Sequence, residues 1–277
     1  MTEGKFKLDT RETAQEEQAG KCFLAQAKSR TDSFLAKWEA ADIKVAPTSA
    51  IAKVDLLLPY HPLSYQIRSF IAVGLDNVRA AHLYIEKTNE IPMTALYSMI
   101  RSTVEATSYG LWILKAGKKE KQAFLSLRLT FENNEDLEGL VKVLKPSEWK
   151  DYDKVQKRLL ELQQGINSYK NHDITQRATT TDVVREADKI LDGKRKLFNG
   201  LQTWKACSGV AHANSAVLNS VLERQPTGEG DAIGQTFILT SRITFIAGFL
   251  LAAIENLEAL LEMYEAACAM PPDPRRG

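Results

Sequence analysis

The sequence predicts an all-α fold: a helical bundle of about eight helices with a long N-terminal helical arm. Long stretches rich in strong helix formers are separated by short breaks that contain Gly or Pro, which is typical of helices joined by loops. Within these stretches apolar residues recur at helical spacing, for example at Leu159, Leu162 and Ile166. No alternation of strands and helices is visible, and the 277 residues are 44% hydrophobic, which is enough for a sizeable core.

Proline, glycine and capping residues indicate where the predicted helices begin and end. Pro62 and Pro92 stand where a first helical turn tolerates proline, and Gly117 suits the position after a helix C-terminus. Ser147, which follows Pro146, is a suitable N-cap. The expected helices span residues 10–41, 62–87, 92–116, 118–144, 149–169, 181–191, 196–218 and 240–267.

The same helix-ending residues predict how the chain is divided into segments. We divide it into an N-terminal helical arm and linker (1–61), a helical-bundle domain (62–268) and a disordered tail (269–277). The end of the first segment is predicted to be irregular because it is rich in proline. Residues 217–240 can form a short β-hairpin, since two apolar segments flank a loop (224–234) with one Pro and three Gly.

Hydropathy and cysteine usage predict the cellular location. The most apolar stretch, Ile243–Ile254, is predicted to be a buried helix, because a membrane span needs about 20 apolar residues. The charged N-terminus has no apolar segment of the kind found in secretory signals. The cysteines Cys22, Cys207 and Cys268 are widely spaced, as expected for small apolar side chains in a reducing compartment. We therefore expect a cytoplasmic protein without membrane association.

Charge and residue spacing argue against several classes of function. Lys plus Arg number 36 and Asp plus Glu number 35, so bulk charge does not favour coating of nucleic acid, although local patches can still bind it. The four histidines show no zinc-ligand spacing with the cysteines, and no nucleotide-binding or cofactor motif is visible, so we expect neither metal nor cofactor. One alternative is a nucleophilic Cys207, which lies close to His212 in the sequence.

The predicted helix 92–116 carries a polar stripe inside an otherwise apolar sequence. Alternating spacings of three and four residues place on one helical face Ser98, Arg101, Glu105, Ser108 and Trp112. Arg101 and Glu105 are one turn apart and can form an ion pair, whereas an unpaired charge in the interior is strongly destabilising. The two residues are therefore predicted either to be exposed or to belong to a satisfied hydrogen-bond network.

A second polar face occurs on the predicted helix 196–218. Lys205, Ser208 and His212 stand at positions i, i+3 and i+7, among small residues that allow close approach. Ser208 and His212 can hydrogen-bond, and histidine suits general acid–base catalysis because its ordinary pKa lies nearest neutrality. Gly209 in a helix interior costs about 1 kcal/mol relative to Ala, which indicates a packing or site role.

Two segments, RSTVEATSYGLWIL and WKACSGVAHAN, together resemble an Arg-x3-Glu and Ser-x3-His pattern of bacterial helical proteins. Those proteins are similar to the HEPN superfamily, which includes toxins and abortive-infection proteins of phage defence. The resemblance covers about residues 62–268 and implies metal-independent RNA cleavage by a homodimer, with His212 acting on the 2′-hydroxyl. It implies that Lys205 or Arg101 neutralises the phosphate and that Glu105 orients one of them. Lys205 stands where the family motif has arginine, and lysine is not a bidentate phosphate clamp.

Two functions are consistent with these residues. In the first, a ribonuclease of the toxin or anti-phage type, one pocket or dimer interface gathers Arg101, Glu105, Lys205, Ser208 and His212. In the second, a non-catalytic interaction or scaffold protein, these side chains form a structural hydrogen-bond network and the arm binds a partner protein. A solvent-reachable His212 within about 4 Å of Lys205 or Arg101 favours catalysis, because a general base must be within reach of its proton. A dry, fully packed His212 favours the network.

Overall fold

The computed structural model describes residues 8–144, 152–193, 197–228 and 234–270, and helices dominate this part of the chain. The helices are α1 (Ala14–Ala40), α2 (Ala50–Asp55), α3 (Leu63–Thr88), α4 (Ala95–Lys115), α5 (Lys119–Leu144), α6 (Tyr152–Gln164), α7 (Thr180–Asp188), α8 (Gly200–Ala211), α9 (Ser215–Val221) and α10 (Ile243–Cys268). An antiparallel hairpin pairs β1 (Glu223–Pro226) with β2 (Phe237–Thr240). The all-α prediction is confirmed, and so is the short hairpin expected within residues 217–240.

Capping residues explain several of these boundaries. The side chain of Thr13 accepts a hydrogen bond from the backbone N–H of Glu16, and the Glu16 carboxylate accepts one from the backbone N–H of Thr13. This reciprocal pair satisfies two of the free donors at the start of α1. Gly117, which follows α4, has a φ of +72°, a conformation that favours glycine over other residues. The predicted helix start at Ser147 and most of the 269–277 tail lie outside the described residues.

The linker and the helix expected over residues 196–218 differ from the sequence prediction, and β1 (Glu223–Pro226) takes up the first residues of the loop expected over 224–234. The linker contains a short helix, α2, whose N-cap Ser49 accepts a hydrogen bond from the backbone N–H of Ala52. The helix expected over residues 196–218 is instead two helices, α8 and α9, separated by a sharp turn. Ala213 in that turn has a left-handed φ of +53°, and the Asn214 side chain caps the start of α9. Because neither Gly nor Pro occurs in this turn, the sequence pattern did not predict a break between α8 and α9.

The described residues group into two compact units. The first draws on the described residues within Met1–Ala41, Ala72–Thr107 and Leu191–Glu258, and the second on those within Asp42–Ile71, Ser108–Ile190 and Ala259–Gly277. The N-terminal arm belongs to the first unit together with parts of the predicted bundle. The division of the structure therefore does not coincide with the boundary predicted after residue 61.

In the first unit, α1 packs against the N-terminal part of α10. The buried residues of α1 are Gly20, Ala27, Thr31 and Phe34. Arg30 on the same helix forms an ion pair with Glu255 at 3.3 Å. Just before α1, the Glu12 carboxylate accepts hydrogen bonds from the backbone N–H groups of Ile243 (2.9 Å) and Thr244 (3.0 Å). Because the first N–H groups of a helix have no partner within it, Glu12 supplies a cap for α10 from a distant part of the chain.

In the second unit, the N-terminal half of α5 supplies much of the core. Its buried apolar residues are Ala123, Phe124, Leu125, Leu127, Leu129 and Phe131. The ring of Tyr169 stacks on Phe124 with a centroid distance of 4.8 Å, and the Gln163 side-chain amide donates to the Tyr169 carbonyl at 2.9 Å. These contacts hold the segment after α6 on α5. The segment itself forms only one turn of 3₁₀-helix, Asn167–Tyr169.

The apolar helix α10 is buried along most of its length. By length and composition it could cross a membrane, since one window has a mean hydropathy of 1.7, but 72% of that window is buried inside the protein. Ile246, Leu250 and Ile254 have at most 1% of their surface exposed. The predicted burial of Ile243–Ile254 is therefore confirmed.

A buried histidine in the first unit makes stability depend on pH. His82 of α3 is 7% exposed, and desolvation lowers its pKa from 6.5 to about 4, with Lys28 lowering it further and Asp32 opposing the shift. The unfolded chain binds a proton below pH 6.5, whereas folded His82 stays neutral down to about pH 4. Falling pH therefore favours the unfolded chain between pH 6.5 and pH 4. At about pH 4, we expect His82 to have lowered the free energy of unfolding by about 3 kcal/mol.

Denaturant unfolding of the wild type and of a His82→Leu variant between pH 7 and pH 4 measures this effect. The carboxylates titrate in both proteins, so the difference between the two curves isolates the histidine. We expect the wild type to lose more stability on acidification than the variant does. Parallel curves would contradict the assignment.

Candidate active site

The structure brings Arg101 of α4 into contact with His212, the residue that follows α8. Nη1 of Arg101 lies 3.4 Å from Nε2 of His212, and His212 is exposed. A guanidinium can only donate hydrogen bonds, so Nε2 of His212 is the acceptor in this contact. Both residues belong to the first unit. This is the solvent-reachable arrangement that the ribonuclease hypothesis predicts.

Glu105 flanks the other side of the Arg101 guanidinium. Nε of Arg101 lies 3.5 Å from Oε2 of Glu105, and the same oxygen accepts a hydrogen bond from Nε1 of Trp204 at 3.2 Å. The side chains of Arg101 and Glu105 are 29% and 31% exposed, so the pair is neither fully buried nor freely solvated. The predicted ion pair is present. The indole of Trp204 also holds the carboxylate in place.

The turn between α8 and α9 determines how His212 is presented. His212 is the C-cap of α8, and its backbone N–H donates to the Ser208 carbonyl at 3.0 Å. The chain then passes through Ala213, and the Asn214 side chain accepts hydrogen bonds from two backbone N–H groups of α9. Since α8 ends before it, His212 stands at a helix end instead of in the middle of a helical face.

Gly209 explains how α8 and α9 come so close together. A Cβ atom on Gly209 would lie 2.6 to 2.8 Å from three side-chain atoms of Val217, closer than real Cβ contacts. Any larger residue would push α9 away from α8. The packing role indicated by the sequence for this glycine is therefore present. It shapes the turn that carries His212.

Lys205 and Ser208 are not part of the side-chain cluster. Lys205 is exposed, and it forms no ion pair with any residue in the described part of the chain. Ser208 is half-buried, and within the same residues its hydroxyl is not hydrogen-bonded to the His212 ring. The expected Ser208–His212 side-chain bond is not formed, because the ring faces Arg101 instead. The basic residue next to His212 is therefore Arg101, and not Lys205, which stands at the position of the arginine in the family motif.

The alternative of a nucleophilic Cys207 is contradicted by its surroundings. Cys207 has none of its surface exposed, and burial raises the pKa of its thiol far above the ordinary value. A thiol must ionise to act as a nucleophile, so this one stays protonated and unreactive near neutral pH. Its role is that of a small core side chain.

The remaining residues of the polar stripe on α4 do not extend the cluster. Ser98 is exposed. Ser108 and Trp112 belong to the second unit, where the Arg128 guanidinium lies 5.3 Å from the centre of the Trp112 ring. A cation above an indole face is a favourable packing contact, which supports a structural role for Trp112.

Comparison of the chain with known proteins identified no match to a family model, to a curated protein or to a solved structure. The cluster of Arg101, Glu105, Trp204 and His212 is therefore interpreted from its own geometry and chemistry. It combines an imidazole, a cation that can bind phosphate and a carboxylate that holds the cation. These are the groups required for proton transfer beside a phosphodiester.

Proposed function

We propose that this protein is a metal-independent ribonuclease of the toxin or anti-phage type, with His212 as the acid–base group and Arg101 as the phosphate-binding group. The observation that supports this most directly is the contact between Nη1 of Arg101 and Nε2 of the exposed His212. The HEPN resemblance of the sequence leads to the same reaction. Arg101 replaces Lys205 in the proposal, because it lies beside the histidine and can bind phosphate through two N–H groups.

The contact in the free protein suggests how the site responds to RNA. At 3.4 Å the Arg101–His212 hydrogen bond is long and therefore weak, and it occupies the lone pair that a general base needs. A phosphate group is a stronger acceptor for the guanidinium than an imidazole nitrogen is. Binding of the substrate phosphate to Arg101 would therefore free Nε2 of His212, while Glu105 and Trp204 keep the arginine nearby.

The proposed reaction is transfer of the phosphate within the RNA chain. Nε2 of His212 takes the proton of the 2′-hydroxyl, the 2′-oxygen attacks phosphorus, and the bond from phosphorus to the 5′-oxygen breaks. The products are a cyclic phosphate end and a 5′-hydroxyl end, and the departing 5′-oxygen must receive a proton. Arg101 stabilises the negative charge that grows on the phosphate oxygens. A homodimer is part of the proposal, because a second copy can supply the acid for the leaving oxygen.

One observation favours a second candidate function, a non-catalytic interaction or scaffold protein. The chain of contacts from Trp204 through Glu105 and Arg101 to His212 also braces α4 against α8. In that case the residues would stabilise the fold and no RNA would be cleaved. Measuring stability and cleavage on the same variants separates the two functions.

The direct test is incubation of the purified protein with an RNA oligonucleotide, with the same RNA methylated on its 2′-oxygens, and with DNA, all in the presence of EDTA. We expect only unmodified RNA to be cut, with cyclic phosphate ends, because methylation and DNA both remove the attacking hydroxyl. Mass spectrometry of the products identifies the ends. The ribonuclease proposal fails if RNA stays intact, if EDTA stops the reaction, or if methylated RNA is cut equally fast.

A further inference from the structure

A cavity of about 400 Å³ lies in the second unit, between α6 and the residues that precede α3, with α5 as its floor. Its volume falls at the lower end of the range of about 300–1,000 Å³ that is typical of small-molecule sites. Its apolar lining comprises Leu58, Leu127, Val155, Leu159 and Leu162. The cavity is remote in sequence from Arg101 and His212, and the function proposed for those residues does not use it.

The apolar wall of this cavity is preformed. Leu58 and Leu127 are each 2% exposed and Leu159 is 6% exposed, so their positions are set by packing in the core. Thr130 is the polar residue in the deeper wall, and its hydroxyl already donates to the Ser126 carbonyl at 3.0 Å. A ligand in this region therefore contacts hydrocarbon, because the proton of the Thr130 hydroxyl is already used in a hydrogen bond. This favours an alkyl chain.

Two basic residues of α6 also line the cavity. Lys154 and Arg158 are one helical turn apart, so they project from the same face of the helix. The Arg158 guanidinium donates to the Tyr60 hydroxyl at 2.8 Å and lies 4.6 Å from the centre of the Tyr60 ring. It also pairs with Glu161 at 2.9 Å. Because a guanidinium has five N–H donors, these contacts hold Arg158 in position without using all of them.

His61, which also lines the cavity, contributes no positive charge at its opening. Desolvation lowers its pKa below the ordinary value, so the imidazole is neutral near pH 7. Lys154 and Arg158 place positive charge at the opening, and Glu161, which pairs with Arg158, offsets part of it. The site combines an apolar interior with a basic mouth, and this pairing selects for ligands that carry an alkyl chain and one anionic end.

We propose that this cavity binds a medium-chain fatty carboxylate, with its alkyl chain between the leucines and its carboxylate at Lys154 and Arg158. A neutral apolar molecule would fill the same interior but would leave the charged hydrogen bonds at the mouth unmade. A cationic amphiphile would be repelled there. The anionic amphiphile satisfies both parts of the site.

Isothermal titration calorimetry with decanoate, below its micelle-forming concentration, tests the proposal on the full chain. Decanol and decyltrimethylammonium serve as neutral and cationic probes of the same length. We expect decanoate to bind with a negative heat-capacity change, which marks burial of apolar surface, and to bind about tenfold or more tightly than decanol. Equal binding of decanoate and decanol, or no binding of decanoate, would overturn the proposal.

Two variants locate the binding. Replacing Lys154 and Arg158 together with glutamine is expected to weaken decanoate binding by about tenfold or more, since charged hydrogen bonds are lost, and to leave decanol unaffected. Lys157→Gln is the matched control, because Lys157 is exposed on the same helix and does not line the cavity.

Val155→Trp is expected to abolish binding by filling the interior with an indole ring. If all these variants bind decanoate as the wild type does, the ligand sits elsewhere and the assignment is wrong. No readout here involves RNA, so failure of this proposal leaves the ribonuclease proposal untouched, and the reverse also holds.

Discussion

Replacing His212 with asparagine is expected to lower kcat/KM for RNA cleavage by about 10²- to 10⁴-fold, the range that general acid–base groups contribute. Asparagine cannot take up the proton of the 2′-hydroxyl. It is polar and suits helix ends, so the end of α8 should keep its conformation, and no core packing is lost because His212 is exposed. Initial cleavage rates on an RNA oligonucleotide and the free energy of unfolding should be measured on the same preparations.

His172→Asn is the matched control for this variant. His172 is also exposed, but it belongs to the second unit and packs against Tyr169. We expect the control to cleave RNA like the wild type. A His212→Asn variant that cleaves at the wild-type rate would refute the catalytic role of the histidine. If wild type and variant are both inactive and the variant is less stable, the structural network is the better interpretation of the cluster.

Replacing Gly20 with valine is expected to lower the free energy of unfolding by about 3 kcal/mol, the upper end of the usual cost of overpacking. A Cβ at this position would lie 2.6 Å from Cγ2 of Ile243 and 2.8 Å from the backbone nitrogen of Thr244. Backbone at the start of α10 cannot rotate away as a flexible side chain would. The added methyl groups must therefore push α1 off α10, and the Glu12 cap would be disturbed with it.

Gly139→Ala is the matched control, since Gly139 also lies within a helix but has open space around its missing Cβ. There the change should raise stability by up to about 1 kcal/mol, because alanine favours the helix more than glycine does. Chemical denaturation followed by circular dichroism measures both effects. If Gly20→Val is as stable as the wild type, the close approach of α1 and α10 is not present in solution.

Local signals in the sequence predicted much of the fold. The arm, the helices from Pro62 to residue 144, the positive φ of Gly117 and the burial of Ile243–Ile254 all depend on residue preferences within a few turns of helix. The turn after α8 was not predicted, because it depends on packing between helices as well as on local residue preferences. Ala213 adopts a left-handed conformation that alanine alone does not favour, and the packing of Val217 on Gly209 overrides that preference.

The candidate site was predictable residue by residue but not as a constellation. Arg101, Glu105 and His212 each stood out as polar groups in apolar helices. Their spacing along the chain could not show that Arg101, and not Lys205, lies next to the histidine, since Arg101 and His212 are 111 positions apart. It also could not show that the indole of Trp204 donates to Glu105.

Residue preferences alone were thus sufficient for the helical class of this protein, for most of its helix ends and for the identity of its unusual polar residues. Only the packing of α4 on α8 determined which of those polar residues are in contact, namely Arg101 with His212 and Glu105 with Trp204. The physical reason is that helix formation depends on neighbours within about four residues, whereas a side-chain contact between helices depends on how two complete surfaces fit together.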